Sequence, residues 1–164
     1  MLLDTGCRYT EVAKLSWLDV DMKNRKIKVW RGKTKTETHL IMTDQVYTTL
    51  TKRLSNPNKH NRWIFTDVTG EDHRKYSSIP IRKAIKSIDG LENFSLHDLR
   101  HCCASKLVNA GMTIPEVAII LGHRDISTTM QYAHINTDTI TRKAADILNG
   151  GGNAAIIQDL VEDA

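Results

Sequence analysis

Residues Ser95–His134 read SLHDLRHCCASKLVNAGMTIPEVAIILGHRDISTTMQYAH, and the rest of the chain is organised around them. Ser95 with Asp98 three residues on is a capping box, so a helix is expected to start near Leu96. Leu96, Leu99, Cys103, Leu107 and Ala110 recur at helical spacing and form its expected apolar face, with His97, Arg100, His101 and Ala104 lying off that stripe. His97 and Arg100 are three apart and are therefore neighbours on one helix surface. Gly111 is a plausible stop. Thr113-Ile114-Pro115-Glu116 is a second capping box, with proline in the first turn, where its missing N–H costs nothing. The helix it opens is short, Ile114–Leu121, and Gly122 ends it. Ser127 can cap a third helix, expected to carry Tyr132. The stretch thus holds two close-set basic groups, a Gly122-His123 pair and, nine residues later, a lone tyrosine.

The 164 residues fit one domain and are enough to bury a core. Charge is unevenly spread. Residues 151–164 carry only acids (Asp159, Glu162, Asp163), whereas residues 1–150 hold all 23 Lys and Arg against 16 acids, a net charge of +7. A basic body suits a polyanionic partner, most simply nucleic acid. Cys7, Cys102 and Cys103 are odd in number and two are adjacent, so no disulfide framework follows and a reducing compartment fits. No segment has a signal-peptide layout or membrane-spanning length. The expected location is cytoplasmic and nucleoid-associated, with no membrane partner.

Upstream, Met1–Thr5 has the look of a helix tail broken by Gly6, with Arg8 in the bend. Thr10 can cap a helix through Leu15, placing Glu11 in its first turn, where an acid suits the dipole. Lys26–Trp30 alternates, with Ile27 and Val29 on one face, and Thr38–Met42 alternates less cleanly. The short linker Gly32–Thr36 makes the pair a β-hairpin. Thr43 caps a helix from Asp44 to about Leu54, with Val46, Leu50 and Leu54 at four-residue spacing. A polar loop, Asn56–Arg62, precedes the short buried stretch Trp63-Ile64-Phe65. After a second loop over Asp67–Ser77, a helix is expected from Ser77 or Ser78 to about Ile88, carrying Arg82, Lys83 and Lys86, a basic face suited to phosphate contacts. Asn136–Leu148 reads as another helix. Residues 150–152 are a glycine hinge, and Ala154–Val161 is an apolar-rich terminal helix that can dock on its own domain or a neighbour. The expected class is mainly α with a small antiparallel hairpin or sheet, arranged as a body over 1–149 and a hinge with terminal helix over 150–164.

The order His-x-x-Arg, Leu-Gly-His, then tyrosine resembles the catalytic half of a tyrosine recombinase, the phage integrase family. The resemblance extends upstream. Thr5-Gly6-Cys7-Arg8-Tyr9-Thr10-Glu11-Val12 is similar to the family's Thr-Gly-Leu-Arg-x-Ser-Glu-Leu, which carries its first catalytic arginine, and Trp17-Leu18-Asp19-Val20-Asp21 is similar to the Trp-Ser-Asp-Ile-Asp that follows. Aligning Leu40-Ile41-Met42-Thr43 with the usual Val-Pro-Leu-Ser puts Lys33 at the position of the hairpin lysine, with Lys35 as second choice. Cys7, Ile41 and Cys102-Cys103 depart from the pattern without touching a reacting group. The match covers about residues 2–148, with six catalytic positions in the family's order. Family members carry an N-terminal DNA-clamping domain and further catalytic-domain residues ahead of the first arginine motif, so the chain is expected to be incomplete at its N-terminus.

The resemblance implies site-specific DNA recombination or integration through a 3′-phosphotyrosine intermediate, with no metal, ATP or other cofactor. Tyr132 is the implied nucleophile. Its phenol is weak at neutral pH, because an unperturbed tyrosine titrates near pH ~10. Arg8 and Arg100, always charged and able to grip two oxygens each, are implied to neutralise the phosphate. His97 is the implied base, Lys33 the acid for the leaving 5′ oxygen, and His123 a phosphate hydrogen-bond partner. Glu11 is implied to stand behind them, orienting Arg100 or His101. The implied partners are double-stranded DNA and, in the full-length protein, three further copies in a tetramer. Three other readings compete. A metal site could use His97, His101, Cys102, Cys103 and His123, although neither finger spacing nor a Cys-x-x-Cys pair is present. A non-catalytic DNA-binding regulator leaves Arg8, Lys33 and Tyr132 unexplained. A type IB topoisomerase shares the chemistry and differs in overall motif pattern.

Overall fold

The computed structural model describes residues 1–75 and 79–150. It opens with α1 (Leu2–Thr5), which Gly6 ends in the left-handed region at φ 60°. A Cβ on Gly6 would stand 2.7 Å from Leu121 Cδ2 and 3.2 Å from Cys103 Sγ, so the position needs glycine for both its conformation and its space. Next, α2 (Tyr9–Ala13) starts earlier than Thr10 could cap it. The Glu11 carboxylate reaches back to the Arg8 N–H at 2.8 Å, which makes Arg8 the capping residue and puts Thr10 inside the first turn.

Three antiparallel strands follow in the order β1 (Val20–Asp21), β2 (Lys26–Arg31), β3 (Thr36–Ile41). The β2–β3 hairpin pairs Ile27 with Leu40, Val29 with Thr38 and Arg31 with Thr36. Period-two alternation turns Ile27, Val29 and Arg31 inward while Trp30 and Ile41 face out. Lys35, at φ 53°, closes the turn. The sheet is covered by α3 (Asp44–Leu54), whose start is set by Thr43 accepting the Val46 N–H. Val46 and Leu50 are fully buried, whereas Leu54 is exposed. Ile27, Val29, Leu40, Val46 and Leu50 join Cys7, Val12, Leu15, Met42 and Ile64 in one apolar core. Ile64 arrives through a bridge between Ser16 and Trp63.

The second half is helical. It comprises α4 (Ile79–Lys86), α5 (Asp98–Asn109), α6 (Ile114–Leu121), α7 (Ser127–Met130) and α8 (Thr137–Gly150). The start expected for α4, Ser77 or Ser78, lies outside the described residues, as do residues 151–164 with the rest of the expected hinge and the terminal helix. The α6 boundaries agree with the sequence pattern. Thr113 and Glu116 cap each other's backbone N–H, and Gly122 ends the helix at φ 67°.

Three expectations around α5 and Tyr132 need correction. Ser95 N–H and Oγ–H both donate to Asp98, yet the helix begins at Asp98 rather than at Leu96, so His97 sits at its cap position. The buried face of α5 is Arg100, Cys103, Ala104 and Val108, with Leu96, Leu99 and Leu107 only half-buried. The helix turns this way because the Arg100 guanidinium donates to two backbone carbonyls inside the protein. Tyr132 is not on a helix either. With Asp125 accepting the Ser127 N–H, the expected third helix shortens to one turn, and Tyr132 follows it in the bend before a 3₁₀ turn, Ala133–Asn136. Its ring completes a second core with Ala104, Val108, Val117 and Leu121.

Candidate active site

Two adjoining cavities share Arg8. One, of about 480 Å³, is lined by Arg8, His97, Arg100, Arg82 and Lys86, together with Cys7, Tyr9 and Glu92–Leu96. The other is lined by Arg8, Lys33, Gly122, His123 and Arg124. The groups come from five remote segments: the cap of α2, the turn of the hairpin, α4, the start of α5 and the end of α6. Lys33, not Lys35, is the hairpin lysine in the lining. On α4, Arg82 and Lys86 are four apart and share the face turned to the first cavity, whereas Lys83 is exposed elsewhere on the helix.

Arg100 is 3% exposed. Its Nη1 donates to Gly6 O at 2.6 Å and its Nη2 to Leu121 O at 2.8 Å. Burial, and then the charge of Arg8, pull its pKa down to about 10, which leaves it protonated at neutral pH. Arg8 donates to Glu11 Oε1 at 2.8 Å, and Arg31 donates to Glu11 Oε2 at 2.6 Å. The expected alignment of Arg100 or His101 by Glu11 is therefore replaced by a different pairing. Glu11 sits between Arg8 and Arg31 because α2 packs against β2, while Arg100 reaches backbone carbonyls instead. Arg31 itself, fully buried, escaped the reading of the sequence. The signal was present, since alternation from Ile27 and Val29 puts Arg31 on the inward face. Thr129, also fully buried, was missed as well, and no local pattern marks it.

His123 Nδ1 shares a 2.7 Å hydrogen bond with Thr129 Oγ1. Burial, then the charges of Arg100, Arg8, Lys33 and Arg31, depress its pKa to about 4, so the ring is neutral at neutral pH. His97 is lowered in the same direction, by burial first and then by His101 and Arg100. Tyr132 lies apart from the cavity linings. It is 5% exposed, and its hydroxyl is bonded to His101 Nδ1 at 2.5 Å. His101 in turn meets His97 edge-on, with ring centroids 4.8 Å apart, so a file of three rings leads from the phenol to the cavity edge. Burial raises the Tyr132 pKa more than Arg100 lowers it, and the resting phenol is protonated.

Among the described residues no group of three or more His, Cys, Asp or Glu is placed to hold a metal ion. Cys103 is buried against Gly6, and Cys102 is exposed. Among the described residues no helix is long and apolar enough to cross a membrane.

A cationic centre built this way suits an anion. The phage integrase family model matches residues 1–139, and the chain belongs to that family. It is 29% identical over 160 residues to the integrase of Salmonella phage P22, covering 88% of this chain and 40% of that protein. It is 30% identical over 144 residues to the tyrosine recombinase XerC of Herpetosiphon aurantiacus, covering 84% and 47%. The chain thus spans about half the length of the curated relatives it matches. In fold it is similar to the Tn1549 transposon integrase in complex with transposon right end DNA, with a TM-score of 0.73 and 23% identity over 90% of this chain and 56% of that one. The catalytic domain of bacteriophage HP1 integrase gives a TM-score of 0.61 and 25% identity over 93% and 79%.

Proposed function

We propose that the chain is the catalytic portion of a site-specific DNA recombinase, cutting and rejoining strands through a covalent Tyr132–DNA 3′-phosphate. The observation that carries this is the convergence of Arg8, Lys33, Arg100 and neutral His123 on two cavities joined at Arg8, with the buried carboxylate of Glu11 bonded to Arg8 from behind. The excess of positive charge lining these cavities suits a phosphodiester that gains charge on its nonbridging oxygens. Arg8 and Arg100 hold those oxygens. In the tautomer that accepts from Thr129 at Nδ1, His123 carries its proton on Nε2 and donates a hydrogen bond to the same phosphate. Lys33 protonates the leaving 5′ oxygen. The Tyr132 oxygen attacks phosphorus and loses its proton to an imidazole, His97 by resemblance. His101 is the ring bonded to the hydroxyl at rest, so the bend that carries Tyr132 must turn the phenol out before attack. The bond energy is kept in the phosphotyrosine, and a second DNA end reverses the step.

The partner is double-stranded DNA, with Arg82, Lys83 and Lys86 contacting phosphates and four copies assembling on it in the full-length protein. Such an enzyme works where DNA is, in the cytoplasm at the nucleoid. Incubation with a nicked suicide duplex should yield a protein–DNA adduct that maps to Tyr132 and is absent in Tyr132→Phe, while that variant still binds DNA. An adduct on any other residue sinks the assignment. Sedimentation on a two-site duplex should show four subunits, and a complex that stops at two refutes the assembly.

A further inference from the structure

Arg31 is the last residue of β2, and no solvent reaches it. Its Nη1 donates to Glu11 Oε2 at 2.6 Å and its Nη2 to Ile120 O at 2.7 Å, while Nε lies 3.5 Å from Thr38 Oγ1. Its shaft lies on Gly122. A Cβ there would stand 2.7 Å from Arg31 Nε and 2.8 Å from Cδ. Burying a guanidinium is costly, and an apolar side chain of the same length would fill the space without that cost. Arg31 lines neither cavity, so it does not meet a bound phosphate directly.

We infer that Arg31 is a positioning residue that holds the cationic centre together, acting through Glu11 on Arg8 and through the end of α6 on His123. This rests on the reading of those groups as the active site. Glu11 is shared. Its Oε1 takes Arg8 Nη1, and its Oε2 takes both the Arg8 N–H and Arg31 Nη1. The second guanidinium fixes the plane of the carboxylate and so the aim of Arg8. Ile120 O is one of the last carbonyls of α6, which have no partner within the helix. Arg31 supplies one, and so sets the height of the turn from which His123 departs. Lys33 follows Arg31 by two residues on the same turn. One buried side chain thereby sets the separation of three elements that reach the cavities. It also accounts for Gly122. That residue adopts φ +67°, and it leaves room for the arginine to pass.

The test compares Arg31→Met, Glu11→Gln and the double variant in the intact protein. It reads amide hydrogen exchange, thermal unfolding and the rate of the Tyr132 adduct per folded molecule on the suicide duplex. Arg31→Met should raise exchange together in segments 8–11, 32–35 and 121–124, well below its unfolding temperature. It should slow adduct formation about 10–100-fold, the usual cost of losing a supporting hydrogen bond, with DNA affinity within about threefold. The double variant should be no slower than the slower single, because both act on one path. Multiplying effects, unchanged exchange in those segments, or a wild-type rate per folded molecule each overturn the inference. Should Arg31→Met not fold, Arg31→Lys decides. It keeps the Glu11 pair and loses the second donor, so loosening should be confined to 121–124, and no loosening there refutes the role. If the wild-type protein forms no Tyr132-dependent adduct, the functional reading falls, while the exchange pattern still decides what Arg31 holds.

Discussion

At Arg31 the protein buries a guanidinium against a carboxylate, and at Arg100 it buries one against two backbone carbonyls. Both side chains cross between the sheet half and the helical half, Arg31 from β2 to α6 and Arg100 from α5 to the turn after α1. They differ in what becomes of the charge. Arg31 meets the Glu11 carboxylate, which it shares with Arg8. The carbonyls of Gly6 and Leu121 orient Arg100 by their dipoles and give it no bonded counter-ion; burial first, and then Arg8, lower its pKa against a smaller opposing effect of Glu11. Arg31 is bonded to a carboxylate inside the protein, whereas Arg100 is bonded to neutral carbonyls and keeps more of its charge for an incoming anion. Burial first, and then the field set by Arg100, Arg8, Lys33 and Arg31, keeps His123 neutral.

The largest effect should come from Arg100→Lys. An ammonium cannot satisfy both carbonyls and still present a planar donor pair to a phosphate, so adduct formation should fall about 10²–10³-fold. DNA affinity should change much less, and equal losses in rate and affinity would mean that Arg100 only anchors DNA. Glu11→Gln attacks the other region. It leaves Arg8 and buried Arg31 without their carboxylate and should cost about 3 kcal/mol of unfolding free energy by denaturant titration. A loss below 1 kcal/mol would show that solvent already screens the pair.

Two smaller effects sharpen the contrast. The folded pKa of His123, about 4, lies below the ordinary value of 6.5. Between those values the unfolded chain binds more protons, so the stability His123 contributes is complete above pH 6.5 and is lost as pH falls toward 4. His123→Asn should therefore flatten the dependence of the melting temperature on pH in that window, and an unchanged slope would remove His123 from the charged region. Thr43→Ala, remote from both regions, should lose about 1 kcal/mol through the α3 cap with the adduct rate unchanged; a slowed rate would mean that the sheet core and the cationic centre are coupled.

Legibility followed the range of the interaction. The limits of α3 and α6 were readable because Thr43, Thr113, Glu116 and Gly122 act on backbone groups within one turn of themselves. The hairpin was readable from Ile27 and Val29 alternating on one face, and Arg31 would have been, had the alternation been carried one step further. The buried side of α5 was not readable. An apolar stripe counts Leu96, Leu99 and Leu107 and cannot anticipate that a charged side chain will be the one drawn inside. Nor did Ser127 reveal where the last helix before Tyr132 would stop, since a residue at the start of a helix acts only on its first turn.

By itself the sequence determined the mix of helices with one small sheet, the limits of α3 and α6, and which residues resemble a tyrosine recombinase site. All of these depend on spacing or on contacts a few residues away. Only the tertiary structure decided which groups meet. Arg100 finds its carbonyl at Gly6, 94 positions away, and Arg31 finds Ile120, 89 positions away. Glu11 takes Arg31 because β2 lies against α2, and Tyr132 rests on His101 because the second core closes over its ring. Those choices depend on how two apolar cores come together, and no local pattern in the chain records the relative placement of the carbonyls that a buried guanidinium must reach.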